Sequence, residues 1–399
     1  MKTMDITSKV DIIDEFDVIV IGGGISGVAA AIASGRSGSR TLLIEKSVML
    51  GGLATLGHVV IYLPLCDGKG RKIIGGISEE LLHLSLKYGY GSLSESWLNG
   101  KAGSENGDRY QTVFNAPSFT LALDEVIENA KVEILFDTVF SVPVIDQGYC
   151  KAVIVENKSG RQGYTGKMII DATGDSDVMF RAGAQCVEAD NWLAYWGYYS
   201  DLESMKEAVA SANIMKAIKL LAYGGDRGGK GVPDGLKKFS GTNAKNVTEF
   251  VLQGRKLARE LIAHKDKNEY SLLALPGMPQ FRTTRRIKGC YELTGQDVFM
   301  HFDDSIGCTG DWRKEGPVYE IPFKSLISKE IKNIITCGRT IASGGDAWEV
   351  TRVIPAAALT GQAAGTAAAL AAKSNSSIQE IQVGELQSLL SASGVLIHH

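Results

Sequence analysis

An excess of positive charge is missing from this 399-residue chain: 42 lysines and arginines face 45 aspartates and glutamates, a formal net charge of -3. Without such an excess there is little to grip a phosphate backbone, and nucleic acid is not expected as a partner. Cysteine is scarce, and the six residues Cys66, Cys150, Cys186, Cys290, Cys308 and Cys337 form no CxxC pair. Neither a disulfide scaffold nor a zinc site is expected, and buried thiols in a reducing compartment fit better. Residues 1–15 lack a basic start followed by an apolar run, so no secretory leader is expected and the location reads as cytoplasmic. A membrane span needs about 20 strongly apolar residues. The most apolar stretch, 356–372, is mostly alanine and carries Thr360, Gln362 and Thr366, the composition of a closely packed internal helix. No membrane contact is expected. His398 and His399 end the sequence and read as a tail without function.

Glycine is what the chain has in surplus, 46 residues against a usual share of ~7%. No collagen-like period accompanies them, so they mark tight turns and close backbone approaches. The length suggests two or three compact units, or one domain with an insertion. DVIVIG at 17–22 is a short apolar run ending in glycine, the pattern of a buried parallel strand. A small-residue helix over 25–37 and a second buried strand, TLLIE at 41–45, complete one βαβ unit of about 30 residues. No second copy follows. The glycine-rich run at 224–235 follows a helical pattern rather than a strand and reads as a mobile surface loop. Helices are expected over 79–88, 115–130, 248–268 and 355–373, and strands near 132–136, 152–156, 168–172 and 331–337; 97–109 is polar and glycine-rich. Nucleotide-type strands thus recur at the start, middle and end of the chain. The simplest assembly is a discontinuous nucleotide domain with a cap built from the insertions.

Gly22, Gly24 and Gly27 fit GxGxxG directly after a strand. Gly22 allows the tight turn, Gly24 lets a pyrophosphate approach, and Gly27 lets helix and strand pack. The helix start at Ile25 and Ser26 offers free N–H groups to that anion. Glu45, at the next strand end, suits a ribose hydroxyl. These residues point to a dinucleotide without choosing between NAD and FAD.

The segment after Glu45, from Lys46 through Gly51, Gly52, Leu53, Ala54 and Thr55, makes that choice. Here the sequence resembles the bacterial FAD-dependent oxidoreductases with a glutathione-reductase-like fold, related to succinate dehydrogenase and fumarate reductase flavoproteins. IDATGDSD at 170–177 looks like the family's second FAD motif, and RTTRRIKGCY at 282–291 like its RxTRRxxGxY segment. CGRT at 337–340, RVIP at 352–355 and GQAAG at 361–365 look like its C-terminal signature. The resemblance covers nearly the whole chain. It implies FAD as cofactor and carries the cofactor contacts to Val139, Ala172, Thr173, Gly174, Asp175, Gly338, Arg339, Pro355, Gly361, Gln362 and Ala363. The cysteine pair of a flavin disulfide reductase is absent.

Pro355 suits the first turn of a helix. If that helix points at the flavin pyrimidine edge, its dipole favours the reduced, negative ring; an alanine-rich packing helix is the plain alternative. Asp175 either reaches the cofactor through its turn or caps a helix. Arg285 and Arg286, with Arg282, are candidates for substrate handling, since a guanidinium offers a planar fork to a carboxylate; solvated cap charges compete with that reading. Tyr291 reads as a hydrogen-bond donor in the same pocket or as a core tyrosine. His58, close after the glycine pair, is a candidate for proton transfer, against a structural histidine. Cys66 reads as a packed thiol, and His301 has only its residue type to recommend it. Trp192, Tyr195, Trp196, Tyr198 and Tyr199 either line a pocket for a ring or form an aromatic cap core.

The expectation is an α/β protein with a discontinuous Rossmann-like FAD-binding domain, a parallel sheet flanked by helices, and an inserted α+β cap. The FAD domain would comprise 14–63, 112–182 and 317–375, the cap 64–111 and 183–316, and a C-terminal tail or helix 376–399. Its chemistry would be hydride transfer between flavin N5 and a small organic substrate, served by a transient electron donor or acceptor. A flavin monooxygenase, a non-redox flavin enzyme and a binding protein with a structural flavin are the alternatives.

Overall fold

A computed structural model describes residues 4, 7, 9–98, 109–226 and 228–399. Residues 99–108, most of the polar glycine-rich stretch, lie outside the described residues. The central sheet contains β1 (Asp11–Ile21), β2 (Thr41–Ile44), β3 (Glu133–Leu135), β4 (Val139–Asp146), β5 (Tyr149–Asn157), β6 (Gly160–Asp171) and β7 (Ile334–Thr336). Five of them run parallel in the order β3-β2-β1-β6-β7. The first half of β6 also pairs antiparallel with β5, which pairs with β4. One long strand therefore serves both a nucleotide-type sheet and a meander on its far side.

Alternation along the strands explains the two layers. Val18, Val20, Leu43 and Ile170 point into one core with the helices, whereas Ile19, Ile21, Leu42 and Ile169 point into a second with Val153, Val155 and Met179. On the helical side α1 (Ile25–Arg36) lies against the long C-terminal helix, with α2 (Ile77–Leu84) and α3 (Ala116–Asn129) beside them. Asn115 caps α3 by accepting from the Ser118 N–H, and Pro117 occupies the first turn. Residues assigned from sequence to the cap between 64 and 111, including Leu81, Leu82 and Tyr110, are buried in this same core. The C-terminal residues Leu386, Leu390, Val395 and Ile397 join it too. Their apolar content accounts for both placements, since burial here takes these side chains out of water.

The cap is a three-stranded antiparallel sheet in which Ala194–Asp201 lies between Lys219–Gly224 and Tyr270–Ala274. The helix α4 (Ala244–Ile262) covers it, and Gly254 leaves room for the Tyr195 ring. The glycine-rich run thus follows a strand, contrary to the sequence reading. Lys219–Gly224 is too short, and too weakly alternating in burial, to stand out from the helical pattern before it. The aromatic cluster is split by the same alternation: Tyr195 and Tyr199 pack with Leu221 and Tyr223, while Tyr198 faces His58. It is not one ring-binding wall.

The C-terminal segment forms α5 (Gly345–Thr351) and α6 (Ile354–Ser374), followed by α7 (Val383–Ala392). Nearly every residue of α6 is buried, as the alanine content predicts. Among the described residues no single helix is long and apolar enough to cross a membrane; α5 and α6 pass such a test only together, and they are bent by 82°. All six cysteines are free thiols.

Candidate active site

A cleft of about 500 Å³ opens at the carboxyl ends of the parallel strands, within the usual range for ligand sites. Three distant pieces of chain meet there. The turn after β1 contributes Gly22, Gly24, Ile25 and Ser26; the turn after β6 contributes Ala172, Thr173, Gly174 and Asp175; and Gly338, Arg339, Ile354 and Ala357 come from the C-terminal signature.

Each glycine of the first turn has a separate physical reason. Gly22 has φ 102°, and a Cβ there would lie 2.6 Å from the Ala172 carbonyl oxygen. A Cβ on Gly27 would collide with the Gly22 carbonyl. Gly24 is different. A Cβ there meets no protein atom within 4 Å, so its face is open cleft. It is also the N-cap of α1 and offers no side-chain cap, which leaves first-turn N–H groups for an anion. This is the fit expected for the pyrophosphate of FAD: a bare backbone, open space and helix-dipole charge together.

Glu45 is buried at the same turn. Its carboxylate accepts from the Gly23 N–H at 2.6 Å and the Ser47 N–H at 2.8 Å. These bonds hold the glycine turn against the β2 end, and the remaining lone pairs stay available to a ribose hydroxyl. Gly51 at φ 99° and Gly52 at φ 56° bring Leu53 and Ala54 under the cleft, and Lys46 and Val139 line its opposite end. Thr138, Phe140, Asp177 and Arg181 extend that end. Thr55, also expected at the cofactor, instead is buried and donates to the Leu50 carbonyl at 2.6 Å, shaping the turn from behind.

Asp171 fixes the second turn. One oxygen accepts from the Thr173 hydroxyl at 2.6 Å and its N–H at 3.1 Å, the other from the Met179 N–H at 2.9 Å. Burial pushes its pKa up to about 6, opposed by those donors. Asp175 caps no helix: Ser176 is the N-cap residue, while Asp175 accepts from Thr284 at 2.7 Å and Arg339 at 2.9 Å. Arg339 also donates to the carbonyls of Gly174 and Phe281, and Trp348 donates to its carbonyl at 2.7 Å. One guanidinium therefore ties the cofactor turn to the cap.

Several residues expected at the site lie elsewhere. Gly361 is a contact point of α6 with α1, where a Cβ would collide with the Ser26 carbonyl; one turn on, Gly365 packs against the Ala30 carbonyl in the same way. Gln362 accepts from the Ile77 N–H at 2.8 Å, Ala363 is buried in the helical core, and Pro355 accepts from Ser78 through its carbonyl at 2.9 Å. The signature encodes helix packing after its first turn; only Ile354 and Ala357 of this helix reach the cleft.

The catalytic candidates are corrected as well. Arg285 is buried and bound: it donates to the Asp175 carbonyl at 2.9 Å and to Asp177 at 2.7 Å, with Phe180 stacked 3.9 Å away. Arg286 pairs with Glu292 at 2.8 Å over the Trp348 ring. Both are struts outside the cleft. Arg285→Ala is accordingly expected to lower stability by about 1–3 kcal/mol, the worth of charged hydrogen bonds lost on one side. Thermal unfolding checks this; an unchanged Tm with slowed turnover would return Arg285 to catalysis. His58, at φ 53°, approaches the Leu275 carbonyl through Nε2 at 3.2 Å and meets the Tyr198 ring edge-on. Burial holds its pKa down. It joins the cap to the glycine-pair loop, while the neighbouring Leu56, Gly277 and Met278 line the cleft. Tyr291 donates to Asp297 at 2.8 Å, away from the cleft.

Arg352 is the residue that the sequence reading passed over. It lies on the cleft at the bend between α5 and α6, paired with the buried Glu349 at 2.5 Å. Arg282 stands nearby, donates to the Gly225 carbonyl at 2.9 Å, and is held below its usual pKa by burial and then by Arg352. The sequence signal was the Arg directly before Val-Ile-Pro.

A family model described as FAD dependent oxidoreductase matches residues 17–197 and 238–390. Among curated proteins, a thioredoxin reductase of Ureaplasma parvum is 30% identical over 86 residues, 22% of this chain and 28% of that protein. The tRNA uridine 5-carboxymethylaminomethyl modification enzyme MnmG of Protochlamydia amoebophila is 39% identical over 80 residues, 17% of this chain and 13% of that enzyme. The matches thus span less than a third of either relative. Among solved structures, p-nitrophenol 4-monooxygenase PnpA of Pseudomonas putida superposes with a TM-score of 0.53 at 12% identity, covering 96% of this chain and 88% of that one. A geranylgeranyl bacteriochlorophyll reductase-like protein of Thermoplasma acidophilum gives 0.50 at 14% identity, covering 95% and 84%. At these identities the likeness is one of fold.

Proposed function

Because the chain belongs to the FAD dependent oxidoreductase family, we propose that it moves a hydride between the flavin and a small organic substrate carrying a carboxylate or polarised carbonyl, held under the cap. FAD, when bound, supplies the two-electron chemistry through flavin N5. The residues that would hold it are Gly22, Gly24, Ile25, Ser26 and Glu45 toward the adenylate half, and Leu53, Ala54, Gly174, Gly338, Ile354 and Ala357 farther along the cleft. The chain's own contribution is position and charge. The cap loop at Gly277 and Met278 bounds one side of the cleft, where the Gly277 N–H donates to the Leu56 carbonyl at 2.8 Å.

The observation that carries the substrate class is Arg352 on the cleft, held by the buried Glu349, with Arg282 near enough to feel its charge. Asp226 offsets Arg282 as well, and Arg352 is the guanidinium that lines the cleft. Such a fork suits an anion or a carbonyl gaining charge. Anaerobic titration of the FAD-loaded protein with a panel of carboxylic acids, hydroxy acids and neutral alcohols tests this. Acids should bleach the visible flavin band, or reoxidise a photoreduced sample; a response confined to neutral compounds would refute the assignment. Arg352→Lys keeps a charge beside Glu349 but loses the fork. It is expected to slow the reaction about 10–100-fold, equivalent to one charge-assisted hydrogen bond, with flavin content unchanged.

A further inference from the structure

Three of the chain's six histidines gather around one buried glutamate far along the sequence from every cleft residue near the first turn. Glu320 lies on the strand Val318–Pro322, paired with the strand Ser305–Gly310, and its side chain is 1% exposed. His398 Nδ1 approaches one carboxylate oxygen at 3.1 Å, and His399 Nδ1 approaches the other at 3.1 Å. His301 Nδ1 lies 3.6 Å from that second oxygen. Cys308, the register partner of Glu320, adds a buried thiol to the group. In each of the sets His301–Glu320–His398 and Cys308–Glu320–His399, the donor atoms lie within 4.8 Å of one another.

We propose that this cluster is a binding site for one divalent transition cation of the zinc class, with Glu320, His301 and His398 as its principal ligands. The separations fit. Donors about 2.1 Å from a tetrahedral ion stand about 3.4 Å apart; His398 Nδ1 is 3.1 Å from one Glu320 oxygen, His301 Nδ1 is 3.6 Å from the other, and one donor atom from each of the three residues lies within 4.8 Å of the rest. The donor types fit too: imidazole and a carboxylate, with a thiol in reach, select zinc-like ions over calcium or magnesium. His301 turns its other nitrogen toward Asp303 at 3.5 Å, the carboxylate–histidine arrangement that orients a metal-binding imidazole. Charge supplies an independent reason. Among the described residues every ion pair of Glu320 is with a histidine, so no permanent cation balances this buried carboxylate. None of these residues lines the FAD cleft. The ion would be a staple, fastening the segment that ends at His399 to the hairpin, with no redox part.

The test uses the full-length FAD-loaded protein, stripped with a chelator and titrated with zinc sulfate against a chromophoric zinc indicator. One zinc per chain and a higher Tm with zinc are expected. His301→Ala, whose side chain is 61% exposed, should bind zinc at least about 100-fold more weakly while retaining its flavin. Asp303→Asn should weaken binding about 10-fold. Glu320→Gln should abolish binding, and should it fail to fold, His301→Ala decides alone. No stoichiometric binding overturns the site. So does equal affinity in His301→Ala, which would assign any zinc to the adjacent His398–His399 pair.

Discussion

Gly24→Val should yield a folded protein without its yellow colour. The backbone at Gly24, φ -66° and ψ 176°, is open to any residue, and the new Cβ would meet no protein atom. The side chain would instead fill the space beside the first turn of α1, where FAD's pyrophosphate would approach. Losing two charge-assisted N–H bonds there costs about 3–6 kcal/mol, or roughly a 10²–10⁴-fold loss of affinity. Flavin absorbance per chain after gel filtration, with a far-ultraviolet spectrum as the folding control, measures both parts. A variant that keeps one flavin per chain would move the pyrophosphate away from this turn.

Gly365→Val should do the reverse and damage the fold first. Its Cβ would collide with the Ala30 carbonyl, and the backbone of α1 has no rotamer with which to yield. Overpacking commonly costs about 1–3 kcal/mol; a helix pair forced apart should reach about 3 kcal/mol or more. At about 2–4 °C per kcal/mol for large domains, Tm should fall roughly 6–12 °C. Comparison with flavin-free Gly24→Val separates this from simple cofactor loss. An unchanged Tm would mean that α1 and α6 do not touch as described.

These two glycines also mark how far the sequence could be read. Gly22, Gly24 and Gly27 were legible because each role follows from strand, turn and helix in immediate succession. Gly361 was not, since a glycine facing a cofactor and one facing another helix look alike in a string of small residues. The arginines failed for a related reason. Charge type predicts that Arg285 will find a carboxylate, but only the fold reveals that Asp177 is the one it finds. Arg352 could not be ranked above Arg285 without knowing that the bend after α5 turns it toward the cleft. The sheet, by contrast, followed from continuous apolar runs such as 18–21 and 168–170, which parallel pairing requires on both faces.

Strand β6 has one more consequence, for biosynthesis. It pairs with β7 through Ile169–Ile334, Ile170–Ile335 and Asp171–Thr336, and the cleft wall at Gly338 and Ile354 follows directly. A ribosome adding about 5–20 residues per second must complete some 160 residues between the two strands before that wall exists. The complete cleft can form only after residue 357 has left the ribosome. A product truncated before residue 334 leaves the ribosome with this edge of the sheet bare, a target for proteolysis.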